Sequence, residues 1–162
     1  MLIIDPTARI SPLADIEDSV RGSCIEIGAD VLVDSFVKIK PAGGLGDLVV
    51  GAGSVINSGC VLYTGNGVVI GRGVLVAANC TFAPVSHEYT SRDVPIAKQG
   101  FKPSRGGIRV GEDVWIGAGC VILDGAVIGD GCVIAAGSVV RGVLEPYNLY
   151  GGNPLFRIGE RK

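Results

Sequence analysis

One spacing governs this chain. Aliphatic residues return at every sixth position: Val110, Ile116, Ile122, Ile128, Ile134 and Val140. Four residues after each of the first five stands a small or β-branched side chain: Val114, Cys120, Ala126, Cys132 and Ser138. The same phase runs through Ile70, Val76 and Phe82, with Val74, Cys80 and Ser86, and through Val50 and Ile56, with Ser54 and Cys60. It continues in Ile27, Val33 and Ile39, and opens the chain at Ile4, Ile10 and Ile16, with Ala8, Ala14 and Val20. A period of six fits neither a helix at about 3.6 nor a strand at about 2. It suits a chain that runs briefly extended, turns a corner and repeats. Three such sides close a triangular coil of about 18 residues, and coils stack in parallel. The sequence therefore predicts an all-β fold: one parallel β-helix domain over residues 1–162, with about six coils rising ~29 Å at the inter-strand spacing. So many hexads in phase exclude a β-sandwich of alternating strands. Handedness does not follow from the pattern, because parallel crossovers are right-handed in nearly all folds.

Composition supports a long core. There are 26 glycines, more than twice the ordinary share of about 7%, as crowded corners require. Hydrophobic residues make up 48% and the mean hydropathy is positive. Such a chain needs buried surface, in its core or against other copies of itself. The net charge is −2, with no run of like charges. This argues against a nucleic-acid partner and against an anionic membrane surface. Asp47 and Arg72 bracket 24 uncharged residues, but glycine, asparagine, serine and threonine interrupt them and the repeat runs through them. That stretch is not read as membrane-inserted. MLIIDPTARI lacks the layout of a signal peptide. Five cysteines without a C-x-x-C pair point to free thiols and a cytoplasmic protein. Cys60, Cys80, Cys120 and Cys132 occupy the small inward position, where a thiol acts as a compact hydrophobe.

The repeat breaks once on a large scale. After the hexad at Phe82 the next clean one begins at Val110, and a charged, turn-rich excursion over about residues 87–108 lies between. A loop this long inside a compact repeat carries function or is disordered. At its start stands His87, the only histidine. An imidazole's ordinary pKa of about 6.5 suits a general base near neutrality. A smaller break at residues 62–67 reads as a wide corner.

Several stretches resemble the hexapeptide-repeat acyltransferases, and within them the sugar and xenobiotic O- and N-acetyltransferases. VGEDVWIGAGCVILDGAVIGDGCVIAAGSVV, from Val110 to Val140, looks like that family's signature, and Gly152-Asn153-Pro154 resembles its G-N-P ending. His87 matches the family's catalytic histidine, and Asn57 falls where related members carry an active-site asparagine. The resemblance implies a left-handed β-helix and a homotrimer with active sites between subunits. It implies direct acetyl transfer from acetyl-CoA, without metal, to a hydroxyl or amine of a sugar, a sugar nucleotide or surface-polysaccharide unit, with His87 as base. Asn57 would orient the acceptor; its structural alternative is a corner asparagine. By the same match Trp115 lines the cleft near the acetyl end, or is a trimer contact. Ala118 and Ala136 pair through their backbones with the pantetheine arm, and Arg141 meets the CoA phosphates. The family's usual Ala-Lys-Val-Ile-Arg after Asn-Pro is replaced by Leu155-Phe156-Arg157-Ile158-Gly159. Arg157, Arg161 and Lys162 are therefore all candidates for the 3′-phosphate. Glu88 as an orienting partner of His87 and Arg92 as an acceptor contact stand beside the alternative of solvated loop charges.

Rival readings are weaker. Carbonic anhydrases on this fold need three histidines around zinc, and this chain has one. A non-catalytic assembly module would not need the loop histidine or the G-N-P ending, and an antibiotic acceptor has no pocket signature to support it. Serine and lipid A-type acyltransferases would add helical extensions, which are not expected here. Residues 143–162 are expected to form a short tail.

Overall fold

The computed structural model describes residues 1–162. The hexads become short strands in three parallel sheets, and the chain visits them in strict rotation. The first sheet holds Leu2–Ile4, Ile25–Ile27, Leu48–Val50, Val68–Ile70, Ile108–Val110, Val127–Ile128 and Val143–Leu144. The second holds Arg9–Ile10, Leu32–Val33, Val55–Ile56, Leu75–Val76, Trp115–Ile116, Val133–Ile134 and Asn148–Gly151. The third holds Asp15–Ile16, Lys38–Lys40, Val61–Tyr63, Thr81–Ala83, Val121–Leu123 and Val139–Val140. The result is a left-handed β-helix of six complete coils and part of a seventh. The tail expected after residue 142 starts with that seventh coil. Phe156–Glu160 then folds back antiparallel on Asn148–Gly151.

Register keeps equivalent hexad positions stacked, as in Val76 beside Ile116 and Ile116 beside Ile134. Columns of Ile, Val, Leu and Phe82 thus fill one continuous core, with Ile56, Ile70, Phe82, Ile116, Ile122 and Ile134 essentially without solvent contact. Each such side chain contributes about 1.5–3 kcal/mol of burial. The fourth-position thiols Cys60, Cys80, Cys120 and Cys132 are buried as well, and burial pushes the Cys132 thiol up. The first coil is a looser cap: Ile4 is exposed, and Ile10 and Ile16 are half-buried.

Two of the three edges are uniform four-residue corners. At the edge between the second and third sheets, residues 57–60, 77–80, 117–120 and 135–138 repeat one turn whose third residue takes positive φ, at Gly59, Asn79, Gly119 and Gly137. Coils approach closely there. A Cβ on Gly117 would stand 2.5 Å from the Ala136 backbone nitrogen. The third edge, where the chain passes from the third sheet back to the first, collects every irregularity: residues 17–24, 41–47, 64–67 and 84–107. Two residues read as in phase fall on this edge and are exposed instead. Val20 is 98% exposed, and Ser86 belongs to the excursion.

Candidate active site

The excursion leaves the third sheet after Ala83 and returns at Ile108. Its base is a short antiparallel ribbon. Lys102 N–H donates to Ser86 O at 2.8 Å, Glu88 N–H donates to Gly100 O at 3.0 Å, and His87 bridges Phe101. One helical turn, Ile96–Gln99, closes the far end, where the Gln99 amide ties to Ser91 and Val94.

The return limb hangs on a residue that the sequence reading passed over. Asp124 follows the fifth strand of the third sheet and is buried to 8% exposure. Its Oδ1 accepts from Gly107 N–H at 2.9 Å, and its Oδ2 accepts from Arg105 N–H at 2.8 Å and from the Asn66 amide at 3.2 Å. A buried carboxylate is stable only when so satisfied. One side chain thus fastens the excursion, the wide corner at 64–67 and the fifth coil together. Gly125 beside it has positive φ, and a Cβ there would sit 2.9 Å from Arg105 Cβ.

His87 is exposed. Its ring lies 4.7 Å from that of Phe101, tilted by 35°, and no group of the chain hydrogen-bonds its nitrogens. It stands at a groove of about 370 Å³ whose walls include Tyr63, Ala83, Val85 and Phe101. Glu88 does not orient it: that carboxylate accepts from the N–H groups of Tyr89 and Thr90 at 2.8 and 2.9 Å. The N–H groups of Thr90 and Tyr89 also hold its pKa below the usual carboxylate value. Arg92 is exposed on the loop and joins no ion pair.

The other singled-out residues lie elsewhere on the prism. Asn57 sits at the edge between the second and third sheets, where its amide donates to Val76 O of the next coil at 2.8 Å. That is the contact of a corner asparagine, and a single chain does not bring it to His87. Ala118 and Ala136 occupy the same edge two and three coils further on, both exposed. Ala118 O accepts from Gly137 N–H at 2.8 Å, whereas no group of the chain accepts from the Ala118 or Ala136 N–H. Trp115 points outward from the second sheet, 52% exposed, in a shallow recess with Leu75, Val133 and Arg161. Arg157 is engaged within the terminal hairpin, by Asn148 Oδ1 at 2.8 Å and Glu160 Oε2 at 3.1 Å. Arg161 pairs with Asp113 at 2.8 Å. Arg141 stands on the third edge with His87, one coil beyond Asp124, and joins no ion pair. Two edges therefore divide the candidate residues: His87 and Arg141 on one, Asn57, Ala118 and Ala136 on the other.

Residues 107–142 match the model of the bacterial transferase hexapeptide family (six repeats). Among solved structures, a hexapeptide-repeat acetyltransferase from Vibrio cholerae O1 biovar eltor, VCA0836, complexed with acetyl-CoA, is 30% identical. That match covers 85% of this chain and 71% of that one, with a TM-score of 0.72. AntD, an N-acyltransferase from Bacillus cereus, is 23–24% identical, with 99% of this chain and 83–84% of that one covered and TM-scores of 0.81–0.82. It has been solved with dTDP and 3-hydroxybutyryl-CoA, and a variant with dTDP-4-amino-4,6-dideoxyglucose and CoA. A hexapeptide transferase family protein from Anaplasma phagocytophilum is 22% identical over 99% of this chain and 80% of that one, at a TM-score of 0.71. No protein of curated function matches the sequence. The repeat and the Vibrio relative place this chain in the hexapeptide-repeat acyltransferase family.

Proposed function

We propose that the protein transfers an acetyl group from acetyl-CoA to a hydroxyl or amine of a sugar, most simply a nucleotide-linked sugar, with His87 as the general base. The observation that carries this reading is His87 itself, an imidazole with free nitrogens at the mouth of a groove beside the one long excursion. A side chain positioned to exchange protons, yet committed to no internal partner, is what general base catalysis requires.

The thioester is already activated, so transfer needs no covalent enzyme intermediate. A His87 ring nitrogen takes the acceptor's proton as its oxygen or nitrogen attacks the acetyl carbonyl carbon. The carbon–sulfur bond breaks, CoA leaves as thiolate, and the proton passes from His87 to that sulfur. Negative charge gathering on the carbonyl oxygen needs a fixed donor. The free N–H groups of Ala118 and Ala136 are the candidates for that role and for pairing with the pantetheine arm, and Trp115 flanks the same face. Arg141 and the terminal hairpin carrying Arg157 supply cations for the donor's phosphates.

One chain separates His87 from Asn57, Ala118 and Ala136, so the complete site forms between copies. We read the assembly as a homotrimer whose flat faces, carrying exposed Val69, Val127, Leu75 and Trp115, pack against neighbours. Asn57 then meets the acceptor from across the interface. Free thiols fit a reducing, cytoplasmic setting. The AntD complexes support a nucleotide-sugar acceptor by likeness of fold, and the acetyl-CoA complex of the Vibrio relative supports the donor.

The test is a titration of the full chain with acetyl-CoA, followed by thiol release across a panel of nucleotide sugars, amino sugars and simple glycosides. Binding with acceptor-dependent release is expected. Absence of acetyl-CoA binding by the trimeric protein would sink the reading.

A further inference from the structure

Two cavities flank the ribbon at the base of the excursion, and His87 belongs to only one of them. Successive side chains of extended backbone point to opposite faces. His87 and Phe101 face the groove described above, while Ser86 and Lys102 face a second recess of about 220 Å³. Leu123 and Asp124 of the fifth coil line this recess, together with Arg105 of the returning limb and Arg141 of the sixth coil.

Three cations converge there, and none of them is neutralised. The ion pairs of the chain employ Lys38, Lys40, Arg72, Arg157, Arg161 and the amino terminus. Lys102 Nζ stands 3.6 Å from the centroid of the Tyr89 ring, a contact that places the ammonium without cancelling its charge. Lys102 also lowers the Tyr89 phenol pKa, first through hydrogen bonding to it and then through its charge. The recess contains one carboxylate, Asp124, and both of its oxygens are already held by N–H donors. One of those donors is the backbone N–H of Arg105, which fixes the stem from which that guanidinium projects. Three positive charges thus face one committed negative charge, in a chain whose net charge is −2.

We propose that this recess binds a phosphate or diphosphate group. Guanidinium forks match phosphate oxygens in pairs, and an ammonium adds a point charge. The hydroxyls of Ser86 and Tyr89 supply neutral donors beside them. The volume is below the roughly 300 Å³ at which pockets for whole ligands begin, so the recess takes one group of a longer molecule. The reacting end of that molecule lies across the ribbon at His87. Lys102, Arg105 and Arg141 are its binding residues, and Asp124 is a positioning residue. This deepens the transferase reading, under which two molecules carry such a group: the CoA donor and a nucleoside-diphosphate sugar acceptor.

Inorganic pyrophosphate, CoA and UDP are titrated into the full chain, into Lys102→Gln/Arg105→Gln/Arg141→Gln, and into the control Arg21→Gln. Thermal melts followed by circular dichroism check folding. If the triple variant melts early, the single variants Lys102→Gln and Arg141→Gln replace it. Pyrophosphate affinity is expected to fall roughly tenfold or more in the triple variant, as loss of charge-assisted bonds implies, and to hold in Arg21→Gln. A parallel loss for CoA alone assigns the recess to the donor, for UDP alone to the acceptor, and for both to a site that either diphosphate can enter. Unchanged binding of all three probes in a folded variant overturns the proposal. If the wild type transfers no acetyl group while pyrophosphate binding still depends on the three cations, the transferase reading fails and the recess stands.

Discussion

Phe36 shows how strictly the corner geometry is imposed on single residues. It occupies the third position of a second-to-third-sheet corner, where other coils place Gly59, Asn79, Gly119 and Gly137. It adopts the same left-handed backbone at φ 62° while leaving its ring 68% exposed. A residue with a Cβ gives up about 1–2 kcal/mol in that conformation, and glycine does not. Phe36→Gly is therefore expected to stabilise the chain by about 1 kcal/mol, after the larger unfolded-state entropy of glycine is subtracted. Chemical denaturation reads this directly, and a lower midpoint would contradict it. The inward residues of these corners were legible because burial recurs with the period, as the thiols of Cys80 and Cys120 demonstrate. Asp124 was not legible. Its three partners lie 17, 19 and 58 residues away, and in the string Leu-Asp-Gly-Ala it looks like any acidic corner residue. Asn57 reads in two ways in the sequence, as an acceptor contact or a corner residue, and within one chain its amide donates to Val76 O.

Among the elements, the excursion is the one that the repeat did not dictate. Its existence and its place before Val110 followed from the gap in phase. Its internal ribbon did not, because two-residue pairings such as His87 with Phe101 leave no periodic trace. Val20 and Ser86 fit the hexad count and still lie outside the coil, since spacing alone does not mark where a chain leaves the prism. The hold of Asp124 on the return limb gives a prediction for this element. Asn at that position keeps one acceptor oxygen but presents an N–H₂ group to backbone N–H donors. Asp124→Asn is expected to weaken the attachment by about 1–3 kcal/mol while the coils remain intact. Limited proteolysis should then cut within residues 84–107 faster than in wild type, with the far-ultraviolet spectrum unchanged. Equal cleavage rates would show that Asp124 does not secure the loop.

At the scale of the whole molecule, one observation organises the rest: two edges are uniform and the third carries every insertion. Coils stack without interruption because 41–47, 64–67 and 84–107 all leave from the same edge, so long loops disturb no sheet register. The two uniform edges and the flat faces between them suit close packing against other copies. Light scattering or sedimentation should accordingly give a mass three times the chain's 16.6 kDa, and a monomer at micromolar concentration would remove the shared site. The measurement that bears most directly on the central claim compares wild type with His87→Ala. Acetyl-CoA affinity and acceptor-dependent thiol release are followed in both, with the best acceptor of the panel. The account predicts unchanged acetyl-CoA affinity and assembly with a fall of about 10²–10⁴-fold in turnover, the scale of a lost general base. Turnover within a few-fold of wild type would contradict it and move the base to another residue.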